Sequence, residues 1–159
     1  MAYQITGLDP AQFSHLYDTD EAVLAAHGAR RVTADARPGY PCRVTLEDAT
    51  VGETLLLLPN RSGAEEGPFA RTYAIFVHEG AAEAASFADE VPPVFATRPL
   101  SLRGFAADGF VCDAALVEPG RADAGIRRML KNEAVAFIDV HNALPGCFAA
   151  RVRRSGDEG

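Results

Sequence analysis

The sequence predicts an α+β fold, a single domain with a mixed, mostly antiparallel sheet and a few short helices. Three observations carry that expectation. The chain has 159 residues, the size of one ordinary domain, and no linker, repeat or change of composition divides it. Short alternating or Leu-rich segments recur between Gly- and Pro-marked turns, as strands do. Helical periodicity is confined to brief stretches. A hydrophobic content of 48% is enough to bury a real core. The domain is expected to span residues 1–154, with 155–159 as a disordered tail.

Residues 3–6 alternate and stop at Gly7, which reads as a short strand. Asp9-Pro10 then offers an N-cap and a first-turn proline for a helix through Tyr17, with Phe13, Leu16 and Tyr17 turned inward. Thr19-Asp20-Glu21 starts a second helix that Gly28 stops. Residues 30–34 form a strand, Pro38-Gly39 forces a turn, and 42–46 resume extended geometry, presenting Cys42 and Arg43 beside a rigid bend. The unbroken leucines of 54–58 predict a strand covered on both faces, at a sheet centre.

Residues 59–68 read as a loop; Asn60-Arg61-Ser62 within it matches a glycosylation sequon but, with no secretory signal, is expected to be plain polar loop. Residues 72–79 form a strand with Tyr73, Ile75 and Val77 on one face and Phe76 and His78 on the other. A short helix is expected over 81–88, before Pro92-Pro93. Asp108-Gly109 marks a hairpin between 99–106 and 109–117, whose Cys112 is assigned to core packing. Residues 122–132 form a helix with Ala122, Ile126, Met129 and Leu130 on its inner side and Arg127, Arg128 and Lys131 in its last turns, where cations complement the dipole. Residues 135–141 and 147–153 are closing strands joined by a turn at Pro145-Gly146.

Charge narrows the classes of function. Fifteen basic against twenty-two acidic residues give a net charge of −7, so the overall field repels nucleic acid and anionic lipid, and neither is expected as a partner. Nothing in the sequence excludes a homodimer. The basic residues are fourteen arginines and one lysine, so almost every cation offered to an anion is a planar, permanently charged fork. Three widely spaced cysteines, Cys42, Cys112 and Cys147, argue for reduced thiols. With no signal-like or membrane-length apolar run, the expected location is the cytoplasm.

Reactive groups gather at strand ends and turns: Pro41-Cys42-Arg43, His78-Glu79, His141-Asn142 and Gly146-Cys147. A binding site would use Arg43, Arg151 and Arg71 as a clamp for a carboxylate or phosphate, with His78, Glu79, His141 and Asn142 supplying directional hydrogen bonds. A nucleophilic enzyme would use Cys42 or Cys147, activated by His141 or His78 and oriented by Asn142 or Glu79, with Glu53 as another proton acceptor. A metal, were one present, would be held by His78, His141, Cys42 and Cys147, although the familiar short ligand spacings are missing. The sequence requires no cofactor, and it carries neither of the common glycine-rich nucleotide loops. Binding of a small polar or anionic metabolite is the expected function, a cysteine- or metal-dependent enzyme the alternative, and a protein-interaction module the third.

Taken together, Tyr40-Pro41-Cys42-Arg43, Val51-Gly52-Glu53, Ile75-Phe76-Val77-His78-Glu79, Val140-His141-Asn142-Ala143 and Gly146-Cys147-Phe148-Ala149-Ala150-Arg151 resemble the bacterial family catalogued as domain of unknown function 1203. The resemblance runs essentially end to end. It departs at Tyr73-Ala74, where the family pattern often has Gly-Pro. It implies a small bacterial protein in which these segments belong together, and it brings no reaction, cofactor or catalytic assignment.

Overall fold

The computed structural model describes residues 2–157. Strand β1 (Tyr3–Thr6) is followed by two single turns of 3-10 helix, Pro10–Gln12 and Ser14–Leu16, and by helix α1 (Glu21–Ala26). Then come β2 (Arg30–Thr33), β3 (Thr54–Ser62), β4 (Arg71–His78) and β5 (Ser86–Ala88). After a 3-10 turn at Pro93–Phe95, the chain forms β6 (Leu100–Phe105), β7 (Val111–Val117), helix α2 (Ala122–Leu130), β8 (Phe137–Asn142) and β9 (Phe148–Arg154). Six strands make a large antiparallel sheet in the order β5-β1-β9-β8-β6-β7, and three make a small one, β2-β3-β4. The fold is α+β, as the alternation and the short helical stretches predict.

Each sheet has its own core. One face of the large sheet buries Ile5, Leu100, Leu102, Ile138, Val140 and Val152 against Ile126, Met129 and Leu130 of α2. The helix lies close because each side of the contact offers a glycine to the other side's side chains. A Cβ on Gly125 would sit 2.7 Å from Val117 Cγ1 and 2.9 Å from Leu102 Cδ1, and one on Gly104 would sit 3.0 Å from Met129 Sδ. Arg154 closes the far end of α2, donating to Leu130 O at 2.8 Å and to Asn132 O at 3.1 Å, a cation on carbonyls the helix leaves unpaired. The small sheet packs Leu56, Leu58, Ile75 and Val77 against Phe13, Leu16 and Leu24, with Cys42 and Val44 in the same cluster.

The two sheets are knitted together at residues 43–44. Arg43 N donates to Phe76 O of β4, Leu8 N to Arg43 O, and Ala85 N to Val44 O. Gly7 crosses this knot where a Cβ would lie only 2.0 Å from Val44 O. Val44 then enters the small core and Leu46 the large one. This is why 42–46 do not form the expected strand. Cys42 makes a single parallel bridge to Phe76, and Leu46, at φ 55°, closes a turn onto Cys42 O. The apolar alternation there reflects burial in two cores rather than a ladder.

Other expectations need correction. Residues 9–17 form two 3-10 turns, not one helix, because the backbone leaves helical geometry at Phe13 (φ −122°) and the segment is too short to sustain α-helical nucleation. Asp9 does cap its first turn, and Asp20 caps α1 by accepting from Val23 N. No helix forms over 81–88. Ala85 instead bonds both Gly7 and Val44, and β5 adds to the edge of β1. The loop expected from residue 59 begins later, because β3 runs on to Ser62; β2 pairs only up to Leu57, so Pro59 occupies a stretch with an open edge and costs no ladder bond there. Asn60, Arg61 and Ser62 are therefore strand residues. Cys112 is exposed, not core. It lies on the edge strand β7, where Val111, Asp113, Ala115 and Val117 take the inner side and Cys112, Ala114 and Leu116 take the outer.

The hairpin at Asp108-Gly109 forms as expected, with Gly109 at φ 84° and Ala106 N donating to Phe110 O. Of the tail, Ser155 N donates to Ala2 O, while residues 158–159 lie outside the described residues.

Candidate functional site

The face of the large sheet turned away from α2 is polar. Antiparallel pairing sets Thr6, Arg151, Asp139 and Arg103 in one row across β1, β9, β8 and β6, since directly opposed residues share a face. Asp139 is fully buried in the middle of that row. It accepts from Arg151 Nε at 2.7 Å and Nη2 at 3.0 Å, and from Gly63 N at 3.0 Å. Arg151 Nη2 returns a bond to Gly63 O. The end of β3 is thereby clamped across the large sheet, and the seam between the two sheets contains two cavities that share Ser62 and Gly63 on their walls.

The larger cavity, of about 640 Å³, lies between β9, β1 and residues 60–65. Arg61, Arg151, Arg153 and Arg154 line it with Asp9, Glu65 and Asp157. Arg153 forms no ion pair among the described residues; its guanidinium lies over the Phe137 ring at 5.6 Å. The smaller cavity, of about 130 Å³, lies under β4 and β6, lined by Arg71, Tyr73, Arg103, Ser62 and His141 beside Phe69 and Phe105. None of its lining residues is acidic. Arg103 is held in place by Tyr73 Oη, 3.1 Å from Nη1, and by Ser101 Oγ, and it has no carboxylate partner among the described residues. Among the described residues, Arg71 bonds only the carbonyl of Ala70.

His141 is 2% exposed, with its ring edge-on to Tyr73 (4.9 Å between centroids) and Phe148 (5.9 Å). Its Nδ1 lies 2.9 Å from Gly146 O. A carbonyl only accepts, so Nδ1 carries the proton and Nε2 keeps a lone pair. Burial pulls the imidazole down to about 4, helped by the Arg103 and Arg43 charges and opposed by the Gly146 bond and Asp139. The ring is neutral at physiological pH. Ser62 is 8% exposed, and its hydroxyl finds no partner among the described residues.

The residues named from sequence divide into three places. Arg43, His141, Asn142 and Cys147 do gather around the β8–β9 turn. There Arg43, 3% exposed, donates Nε to Phe148 O and Nη1 to Pro41 O, and burial lowers its guanidinium to about 10. It is a strut between the 41–43 turn and β9. Asn142 is buried and pairs its backbone with Cys147, which is half-buried. Cys42 is buried, with Sγ accepting from His78 N at 3.2 Å and Thr45 N at 3.4 Å, and neither thiol bonds an imidazole among the described residues.

His78 and Glu79 lie elsewhere, on the small sheet. His78 Nε2 is 3.0 Å from Glu53 Oε2. Glu79 accepts two bonds from Arg31 at 2.7 Å and one from Asp18 N, which together hold its carboxyl below the ordinary range. It latches β4 to β2 and the N-terminal layer. Of the predicted binding residues outside the β8–β9 turn, Arg151 faces the larger cavity and Arg71 the smaller. Among the described residues no group of three His, Cys, Asp or Glu side chains is placed to hold a metal. Sequence reasoning missed Arg61, Arg103, Arg153 and Ser62. The spacing of Arg151 and Arg153, two apart in a strand, was the available signal that both share a face.

Comparison with known proteins adds a family. The profile described as protein of unknown function (DUF1203) matches residues 39–154, a span that holds every residue lining the smaller cavity. No curated protein matches the chain, and no solved structure does.

Proposed function

The chain belongs to the DUF1203 family, and from the site enclosed by the family region we propose that it binds a small anionic metabolite at the seam between its two sheets. One observation carries this reading. In a protein of net charge −7, Arg71 and Arg103 line a partly open cavity with no carboxylate on its wall. A guanidinium fork with free N–H groups is built for a carboxylate or phosphate oxygen pair. Arg103 is preoriented by Tyr73 and Ser101, so little side-chain freedom is lost when the anion arrives. The adjoining cavity, with Arg61 and Arg153, accommodates the rest of a larger ligand. The three unpaired cysteines suit a reducing compartment, and a cytoplasmic setting is part of the proposal; no described helix is long and apolar enough to cross a membrane.

The test is a titration of the protein with acetate and inorganic phosphate, followed by amide NMR. Arg103→Gln is expected to weaken binding about tenfold or more, the usual effect of losing a charge-assisted hydrogen bond, with the thermal midpoint little changed. Absence of binding by either anion, or equal affinity in Arg103→Gln and Arg71→Gln, would remove the reading.

A further inference from the structure

The arginines account for a negative charge but not for the rest of the small cavity's wall. We infer that the ligand carries a neutral hydroxyl beside its carboxylate, making it a short hydroxycarboxylate, with the hydroxyl bound by His141. This rests on the anion reading of the same cavity and narrows it.

The argument starts from donors and acceptors. With Nδ1–H committed to Gly146 O, His141 can offer the cavity only a lone pair at Nε2, so whatever touches it must donate. A carboxylate alone cannot donate. An ammonium group could, but Arg71 and Arg103 line the same small space, and a third cation beside two guanidinium groups is repelled. A neutral O–H remains. Ser62 supplies the complement: its side chain is more than nine-tenths buried on this wall and its hydroxyl has no partner among the described residues. A buried hydroxyl left unpaired is destabilising, and a ligand oxygen gives it an acceptor. Size agrees with this class. A volume near 130 Å³ equals that of about four molecules of liquid water, which suits a two- or three-carbon hydroxy acid head group and excludes a nucleotide or sugar phosphate from this cavity.

The experiment compares glycolate with acetate, which differ by the hydroxyl alone, by NMR titration that follows the His141 ring nitrogens and the Ser62 and Gly63 amides. Wild-type protein is expected to bind glycolate about tenfold more tightly than acetate, as a buried neutral hydrogen bond allows, with the His141 Nε2 resonance moving on glycolate addition. His141→Phe should reduce that preference to near unity. Ser62→Ala, a smaller change that spares the fold, should reduce it as well. Arg103→Gln should weaken both acids and leave the preference in place. Equal wild-type affinities, or a preference that survives both His141→Phe and Ser62→Ala, would overturn the hydroxyl assignment while acetate binding lost in Arg103→Gln kept the anion site. Binding of neither acid would overturn both.

Discussion

At the scale of single residues, the buried imidazole has a measurable thermodynamic consequence. His141 is held near 4 in the folded protein, against about 6.5 for an unfolded histidine. The unfolded chain therefore takes up the proton first as pH falls. Stability from this group is complete above about pH 6.5, declines through the interval down to about 4, and amounts to about 3 kcal/mol over the whole step. The depressed carboxylates, Glu53, Glu79 and Asp123, lose their contributions only as pH falls below the ordinary carboxylate range, so the window from 6.5 to 4.5 belongs chiefly to His141 among the shifted groups. Urea unfolding between pH 7 and 4.5 should show a falling midpoint in the wild type and a much flatter one in His141→Phe; a wild-type midpoint constant over that range would contradict the burial argument. The Glu79–Arg31 pair follows a different logic. Both oxygens of Glu79 are occupied, so Glu79→Gln should cost about 1–3 kcal/mol by leaving the half-buried Arg31 guanidinium with the exposed Glu21 as its remaining charged partner among the described residues, read as a lower urea midpoint at pH 7.

Between elements, the helix-to-sheet contact is the most constrained. Alanine is a better helix former than glycine by about 1 kcal/mol, which by itself favours Gly125→Ala in α2. The position of Val117 and Leu102 decides otherwise, since the new methyl would fall inside both side chains. Overpacking of that kind costs about 1–3 kcal/mol, so the variant should unfold at lower urea concentration despite its higher propensity. A more stable variant would mean that α2 can move outward freely. The same scale shows what sequence could reveal. Local chemistry was legible wherever it was self-contained: the Asp20 cap and Gly28 stop of α1, the Asp108-Gly109 hairpin, and the Ile126-Met129-Leu130 stripe of α2 all lie within a few residues of the structure they specify. It misled where burial came from distant partners. Residues 42–46 alternate because two cores receive them, and Cys112 is exposed because β7 has no neighbour beyond it.

Across the whole molecule, the candidate site depends on pairings with no local signature. Arg103, Asp139 and Arg151 form one row only because β6, β8 and β9 are neighbours, and that adjacency is invisible along the chain. The sequence did identify the β8–β9 turn, and Arg43, His141, Asn142 and Cys147 do meet there. It could not show that Arg43 would be spent on carbonyls, while Arg103 bonds hydroxyls and meets no carboxylate among the described residues. The join between the sheets is equally global. Gly7 permits the crossing at Val44, so Gly7→Ala should loosen both cores at once, lowering the thermal midpoint by several degrees for about 3 kcal/mol of overpacking; loss confined to one core's signals would show that the sheets are less coupled than the knot at residues 43–44 requires. The position of β9 also sets an order in time. It leaves the ribosome after every other described strand, yet it lies between β1 and β8 at the heart of the large sheet. Until it emerges, β1 and β5 have no route into that sheet, α2 lacks the Arg154 cap, and the end of β3 lacks the Arg151 bond that clamps Gly63 to the large sheet. During synthesis the nascent chain therefore holds two unmatched strand edges, those of β1 and β8, the condition under which chains associate wrongly, until β9 fills the gap between them.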